Sequence, residues 1–309
     1  MCFCRMSMEL KEVLLIRTFL TNKQLKYLQN ELSDWYEIEY VCDRSIIYDC
    51  SSRVKIMIVH ELSVQEIEKY VNLSFVQIYG RGIDKVCTDY LDEKGIYYCS
   101  CSGTEIMSAI GEYVLLQILS WERNFFWLNK TAHDGSWDWK RRKSCVYRSI
   151  RQLKVGIVGK GKIGMGVSEF LRLLGLKVFF INVGDRMEEG DKKIINKMDY
   201  ISLHISLTAN TVGCIEKEFF ALMNKNAVLI NTTRGAVVNE QDLVTAYNNG
   251  EIRGASLDVT VNEPLQENDC LRNCDGIIIT PHISGRTEAA LMENIKEIAK
   301  NILMEVWKQ

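Results

Sequence analysis

The chain has 309 residues, 47% of them hydrophobic and 25% charged, with a formal net charge of −2. That balance fits a soluble globular chain and gives no electrostatic case for binding nucleic acid or an anionic membrane. No apolar run approaches the roughly 18 residues that span a bilayer, and MCFCRMSMELK has no apolar stretch long enough for a signal peptide, so a cytoplasmic protein of about two domains is expected.

The 11 cysteines are odd in number, scattered, and contain no C-x-x-C. They are expected to be reduced, with no disulfide framework and no metal site.

The first hundred residues alternate strand-like and helix-like segments. Strands are predicted at Val13–Arg17, Tyr36–Val41, Val54–Val59, Phe75–Tyr79 and Ile96–Cys99. Helices are predicted at Asn22–Trp35, where Leu25, Leu28 and Leu32 repeat on one face, and at Val64–Tyr70 behind Ser63 as N-cap. This pattern predicts a small parallel α/β domain. Gly80-Arg81-Gly82 follows a strand directly, where a parallel sheet binds ligands and two glycines let backbone N–H groups approach an anion. Arg81 reads either as solvent-facing or as a substrate contact.

One long helix is predicted from about Thr104 to Leu128 as the connection between domains. The polar, basic and aromatic stretch Thr131–Ser149 reads as surface, with Lys140-Arg141-Arg142-Lys143 a solvated patch.

The next stretch, VGIVGKGKIG at Val155–Gly164, organises the remainder. A β-branched strand runs into glycines spaced G-x-G-x-x-G at Gly159, Gly161 and Gly164. A helix follows, with Val167, Phe170, Leu171 and Leu174 on one face. Strand, tight turn and helix in this order form a dinucleotide fingerprint. One glycine makes the turn, one admits a pyrophosphate to the backbone, and one lets helix pack on strand. The helix N-terminus offers unpaired N–H groups and a positive dipole end. Strands are predicted at Leu153–Val158, Val178–Asn182, Tyr200–Leu203, Ala227–Asn231, Ala255–Val259 and Ile277–Thr280. Helices are expected at Gly161–Leu174, Lys217–Met223, Glu240–Asn249 (closed by Gly250) and Glu288–Trp307. Six strands with helical crossovers predict a doubly wound sheet.

Three strand endings carry the candidate chemistry: Asn231-Thr-Thr-Arg234-Gly235, Asp258-Val259 with Glu263-Pro264, and Thr280-Pro281-His282-Ile283-Ser284-Gly285. They bring an arginine, a carboxylate and a histidine to the edge that binds the nucleotide. A guanidinium can hold a substrate carboxylate and polarise its carbonyl. An imidazolium can protonate the carbonyl oxygen as hydride arrives. A carboxylate beside the histidine favours its charged form and fixes its tautomer.

With GKGKIG, LHISLTANT, NTTRG, DVTVNEP and TPHISG in order, the sequence resembles the D-isomer-specific 2-hydroxyacid dehydrogenase family over essentially its whole length. The resemblance implies two Rossmann-like, doubly wound parallel-sheet domains. The substrate domain would be flavodoxin-like and discontinuous, 1–103 with 286–309, and the dinucleotide domain would span 104–285. It implies a substrate-clamping Arg234, an acid/base His282 and its partner Glu263. Gly80, Arg81 and Gly82 would bind the substrate carboxylate, and Glu112 and Arg123 also match family positions. Gly159, Gly161, Lys162, Ile163, Gly164, Asn182, His204, Thr232, Thr233, Asp258 and Ser284 would line the cofactor. It further implies a homodimer acting on a small 2-oxo or 2-hydroxy acid. The alternative is a non-enzymatic NAD(H)-sensing scaffold, like the family's corepressors. Two departures stand out. Asn182, 18 residues after Gly164, replaces the acidic residue of NAD-specific members; NAD is expected, with NADP open because Arg186 lies close in sequence. Ser206 replaces the proline of LHIPLT, which predicts a less rigid loop.

Overall fold

The computed structural model describes residues 11–43, 46, 48, 51–135, 146–184 and 187–306. The expectations for Lys140–Lys143, Arg186 and Trp307 lie outside them. The chain divides into two compact units, Met1–Thr104 with Glu288–Gln309, and Glu105–Thr287.

In the first unit, β1 (Val13–Ile16), β2 (Glu37–Tyr40), β3 (Val54–Val59), β4 (Phe75–Ile78) and β5 (Tyr97–Ser100) form one parallel sheet in the order β2-β1-β3-β4-β5. This is the flavodoxin-like order. The run Val13-Leu-Leu-Ile16 is continuously apolar because both faces of the sheet are covered. Val13 and Leu15 pack with Ile67 and Leu91 on one face, from α2 (Val64–Ile67) and α3 (Thr88–Lys94). Leu14 and Ile16 pack on the other with Leu28 and Leu32 of α1 (Asn22–Leu32) and with Ile295, Ile298 and Ile302 from near the C-terminus. Thr21 starts α1 with a capping box to Gln24, which also binds the Tyr79 hydroxyl at 2.9 Å.

In the second unit, the expected long helix is two. α4 (Glu105–Glu122) ends, and Asn124 enters the left-handed region at φ 48° before α5 (Phe125–His133). Asparagine tolerates that conformation, and its side-chain oxygen accepts from the Arg253 guanidinium at 2.8 Å. The apolar periodicity continues across the break, so it could not reveal it.

The second sheet contains β6 (Lys154–Val158), β7 (Lys177–Ile181), β8 (Tyr200–Leu203), β9 (Val228–Asn231), β10 (Gly254–Leu257) and β11 (Ile277–Ile279), in the order β11-β10-β9-β8-β6-β7 and parallel throughout. Alternate residues again face opposite cores. Val155, Ile157 and Tyr200 meet α4 and α6 (Lys162–Leu173); Val158, Ile201 and Leu203 meet α8 (Lys217–Leu222) and α9 (Glu240–Asn248). The short α7 (Glu189–Ile195) follows β7. Chain direction across the sheet reverses at β6, with β7 on one side and β8 on the other. In an open parallel sheet the crevice at such a switch point is where ligands bind. The last helix, α10 (Glu288–Val306), belongs to the first unit.

Candidate active site

The glycine turn after β6 lies at this switch point, and each glycine has a separate reason. Gly159 has φ +107°, and a Cβ there would stand 2.5 Å from the His204 carbonyl oxygen after β8. A Cβ at Gly164 would stand 2.2 Å from the Gly159 oxygen, so α6 can approach the turn only through glycine. At Gly161 an added Cβ would meet nothing within 4 Å. Gly161 is also the N-cap of α6 and offers no side-chain cap bond. The first-turn N–H groups, starting at Lys162, therefore receive no side-chain cap from Gly161. Ile163 points the other way and packs on the core.

Two buried polar atoms at the same sheet edge have no partner among the described residues: His204 Nδ1 and Thr232 Oγ1. They follow adjacent strands, since Leu203 pairs with Asn231. Burial pushes the His204 imidazole down to about 3, so it is neutral at physiological pH. Its Nε2 lies 2.9 Å from the Ser202 hydroxyl. A helix N-terminus without a side-chain cap, at the same sheet edge as unmatched buried polar atoms, fits a phosphate-linked, partly polar ligand such as a dinucleotide.

The loop after β8, where Ser206 replaces proline, is tied by a side chain. The Thr211 hydroxyl donates to the Ser206 carbonyl at 2.6 Å and accepts the Thr208 N–H at 2.8 Å.

At the end of β9, Asn231 holds the turn that presents Arg234. Its side-chain oxygen accepts from the Thr233 N–H and hydroxyl at 3.0 and 2.9 Å, and its amide donates to the Arg234 carbonyl at 2.9 Å. This Asx-type turn commits the Thr233 N–H and hydroxyl to the Asn231 side chain. One Arg234 guanidinium nitrogen donates to the Thr233 carbonyl at 2.8 Å, which fixes the direction of the side chain. Gly235 abuts the next strand ending: a Cβ there would lie 2.0 Å from the Thr260 carbonyl carbon.

Asp258, ending β10, is 1% exposed. Its carboxylate accepts from the Ile283 N–H at 2.8 Å, the Ser284 N–H at 2.7 Å and the Thr280 hydroxyl at 2.6 Å. The Tyr113 hydroxyl from α4 lies 2.5 Å from that of Thr280. Asp258 and Ser284 thus hold the loop on which His282 sits. Its N–H donates to the Asp258 carbonyl at 2.9 Å, and its φ is +54°.

His282 Nδ1 then lies 3.2 Å from Glu263 Oε2, with both side chains partly exposed. The loop carrying Glu263 is clamped on both sides. The Val261 N–H donates to Glu240 at 2.8 Å, and Arg272 donates to the Leu265 and Gln266 carbonyls at 2.9 and 2.8 Å. Three successive strand endings therefore hold Arg234, Glu263 and His282 at one sheet edge. Glu263 and His282 border a cavity of about 680 Å³.

Other expected residues stand elsewhere. Asn182 follows β7 and bonds Asp191. Arg123 stacks over the Tyr147 ring at 5.3 Å. In the first unit, Arg81 donates to the Ser102 and Gly103 carbonyls at 2.6 and 3.1 Å, so its guanidinium braces the loops after β4 and β5. Gly80 has φ +94°, with nothing near an added Cβ. Tyr113 and Asp191 carry no signal in the sequence, and Asn231 and Thr280 stand there only as the starts of their strand endings. Asn231 carried a signal in its Asn-x-Thr spacing before a glycine.

Reversal of strand order at a glycine turn defines the class as a doubly wound α/β protein with its ligand site at the switch point, where a histidine–carboxylate pair shares the edge. Comparison with known proteins names it. The family profile "D-isomer specific 2-hydroxyacid dehydrogenase, NAD binding domain" matches residues 115–284. The chain is 29% identical over 260 residues to a glyoxylate reductase of Thermofilum pendens, covering 80% of this chain and 76% of that one. It is 31% identical over 233 residues to a D-3-phosphoglycerate dehydrogenase of Synechocystis, covering 72% of this chain and 41% of that longer protein. The D-lactate dehydrogenase of Aquifex aeolicus, solved with NAD and lactic acid, shares the fold at a TM-score of 0.81 and 23% identity over 96% of both chains. The chain belongs to the D-isomer-specific 2-hydroxyacid dehydrogenase family and is an NAD(P)-dependent enzyme of that class. The non-enzymatic scaffold gains no support from these relatives.

Proposed function

We propose that the protein reduces a small 2-oxo acid, or oxidises the matching (R)-2-hydroxy acid. The observation that carries this reading is the bond between His282 Nδ1 and Glu263 at 3.2 Å, at the sheet edge that also holds Arg234 and the glycine turn. The unit built around Gly159–Gly164 is read as dinucleotide domain 104–285, and 1–103 with 286–309 as substrate domain.

When bound, the nicotinamide supplies or accepts the hydride at the substrate's C2. Glu263 occupies Nδ1 of His282, which leaves Nε2 as the nitrogen that gives or takes the proton of the C2 oxygen. The pair fixes both tautomer and ring orientation, the role of a carboxylate behind a catalytic histidine. Arg234 is read as the substrate clamp from the resemblance and from its place at this edge, since a planar fork of guanidinium donors suits a carboxylate and the adjacent carbonyl oxygen. Asp258 acts through the backbone of the His282 loop. Gly80, Arg81 and Gly82 are read as substrate contacts from the resemblance and from the open face at Gly80. We further read the protein as cytoplasmic and homodimeric. Among the described residues, no helix is long and apolar enough to cross a membrane.

His282→Asn tests the assignment, because asparagine tolerates the left-handed backbone. Turnover of glyoxylate, hydroxypyruvate or pyruvate is expected to fall roughly 10²–10⁴-fold with dinucleotide binding retained. Unchanged turnover would refute the role of His282.

A further inference from the structure

Resting on the reading of a nicotinamide dinucleotide at the Gly159–Gly164 turn, we propose that Asp191 and Asn182 together make this site select NAD over NADP. The end of β7 lacks an acidic residue in the sequence, since Asn182 stands there. In the structure a carboxylate comes from elsewhere. The Asn182 backbone N–H donates to Asp191 Oδ1 at 3.0 Å, and its side-chain Nδ2 donates to Oδ2 at 3.2 Å. The Glu188 N–H donates to the same Oδ2 at 3.0 Å.

An ionised carboxylate can only accept, so the NH₂ end of the Asn182 amide must face Asp191. The amide oxygen is then the end left for a ligand. An acceptor at this position suits ribose hydroxyls, which donate. Against a 2′-phosphate, which at neutral pH mainly accepts, it sets oxygen against oxygen. Asp191 adds a negative charge directly behind the amide. Burial pushes its carboxyl up, but the N–H donors of Asn182 and Glu188, the Asn182 amide and the charge of Lys160 outweigh that and hold it below its usual range. Asn182 thereby presents to the ribose what an aspartate would.

Among the described residues, an opposing charge is Lys160, between the first two glycines, whose ammonium lies 5.8 Å from the centre of the Phe180 ring. While Asp191 is ionised, the two compensate. Asp191→Asn would leave Lys160 unbalanced and free the Asn182 amide to turn its donors outward, and both changes favour a phosphate. A purely structural role is also available, because Asp191 closes a capping box with Glu188 at the start of α7. That role alone predicts a less stable protein with unchanged cofactor preference.

The measurement is a fluorescence titration with NADH and NADPH, followed by energy transfer from tryptophan to the nicotinamide, with no substrate present. Wild type is expected to bind NADH at least tenfold more tightly. Asp191→Asn should lower that ratio at least tenfold. Asn182→Ser, which leaves the Asp191–Glu188 cap in place, should lower it mainly by weakening NADH. Glu189→Gln, an exposed carboxylate on the same helix, should leave it unchanged. Equal binding of both dinucleotides by wild type would overturn the inference. So would an unchanged ratio in Asp191→Asn, or in Asn182→Ser if the first variant does not fold. Binding of neither dinucleotide would overturn the cofactor reading on which it rests.

Discussion

His204 shows how one side chain ties local structure to global stability. It is buried after β8, with its pKa lowered to about 3; an unfolded histidine titrates near 6.5. Between those values the unfolded chain binds the extra proton, so the neutral burial of His204 stabilises fully above about pH 6.5 and its contribution is lost as pH falls. By pH 5 the loss should reach about 2 kcal/mol. Urea denaturation of wild type and His204→Gln at pH 7 and pH 5 checks this: the wild type should lose more stability than the variant over that interval. Equal losses would mean that His204 is accessible to protons in the folded state. The same residue marks what sequence could and could not convey. The resemblance in LHISLT implied a histidine on the cofactor side, but not that its Nδ1 is buried with no partner among the described residues. Burial depends on the neighbouring strands, which no local pattern encodes. Asp191 is the sharper case. Its proximity to Asn182 arises where a helix start folds back on a strand end, nine residues on, and nothing in the spacing marks the pair as joined.

At the scale of elements, the strands were legible because most are short apolar runs flanked by turn chemistry, while β2 (Glu37–Tyr40) alternates polar and apolar residues. Val54–Val59 and Tyr200–Leu203 match residue for residue. Helix ends were less so. The run from Thr104 reads as one helix because Leu116, Leu119 and the aromatic residues beyond preserve apolar spacing through Asn124, where the backbone turns left-handed. Helices α3 and α7 are too short to show a periodicity. The candidate residues Arg234, Glu263 and His282 were marked in the sequence as three strand endings, and a glycine lets two of those endings pack together. Gly235 brings the turn after β9 against Thr260, with no room for a methyl group. Gly235→Ala should therefore cost on the order of 3 kcal/mol and displace Arg234 relative to Glu263. A denaturation midpoint and kcat indistinguishable from wild type would contradict that packing argument.

For the molecule as a whole, the exposed apolar surface points to a partner. Leu116 and Leu119 on α4 and Phe125, Phe126 and Trp127 on α5 are all exposed. Large apolar side chains collected on two consecutive helices are uncommon on a monomer's surface, and a two-fold pairing would cover them with their own copies. Sedimentation equilibrium should give twice the chain mass of 35.6 kDa, and Leu116→Glu with Phe125→Glu should shift the protein to monomer. A wild-type monomer at micromolar concentration would sink the homodimer.

The helix α10 carries a further consequence, one of timing. Its Ile295, Ile298 and Ile302 complete the core against Leu14, Ile16, Leu28 and Leu32. During synthesis the β1–β5 sheet emerges before α10, so the face that α1 covers in part is completed only after about 200 further residues. At roughly 5–20 residues per second that interval is on the order of 10–40 s. The later unit is continuous in sequence and can close beforehand. The unit that brackets the other in sequence thus completes its core only after the inserted unit can close.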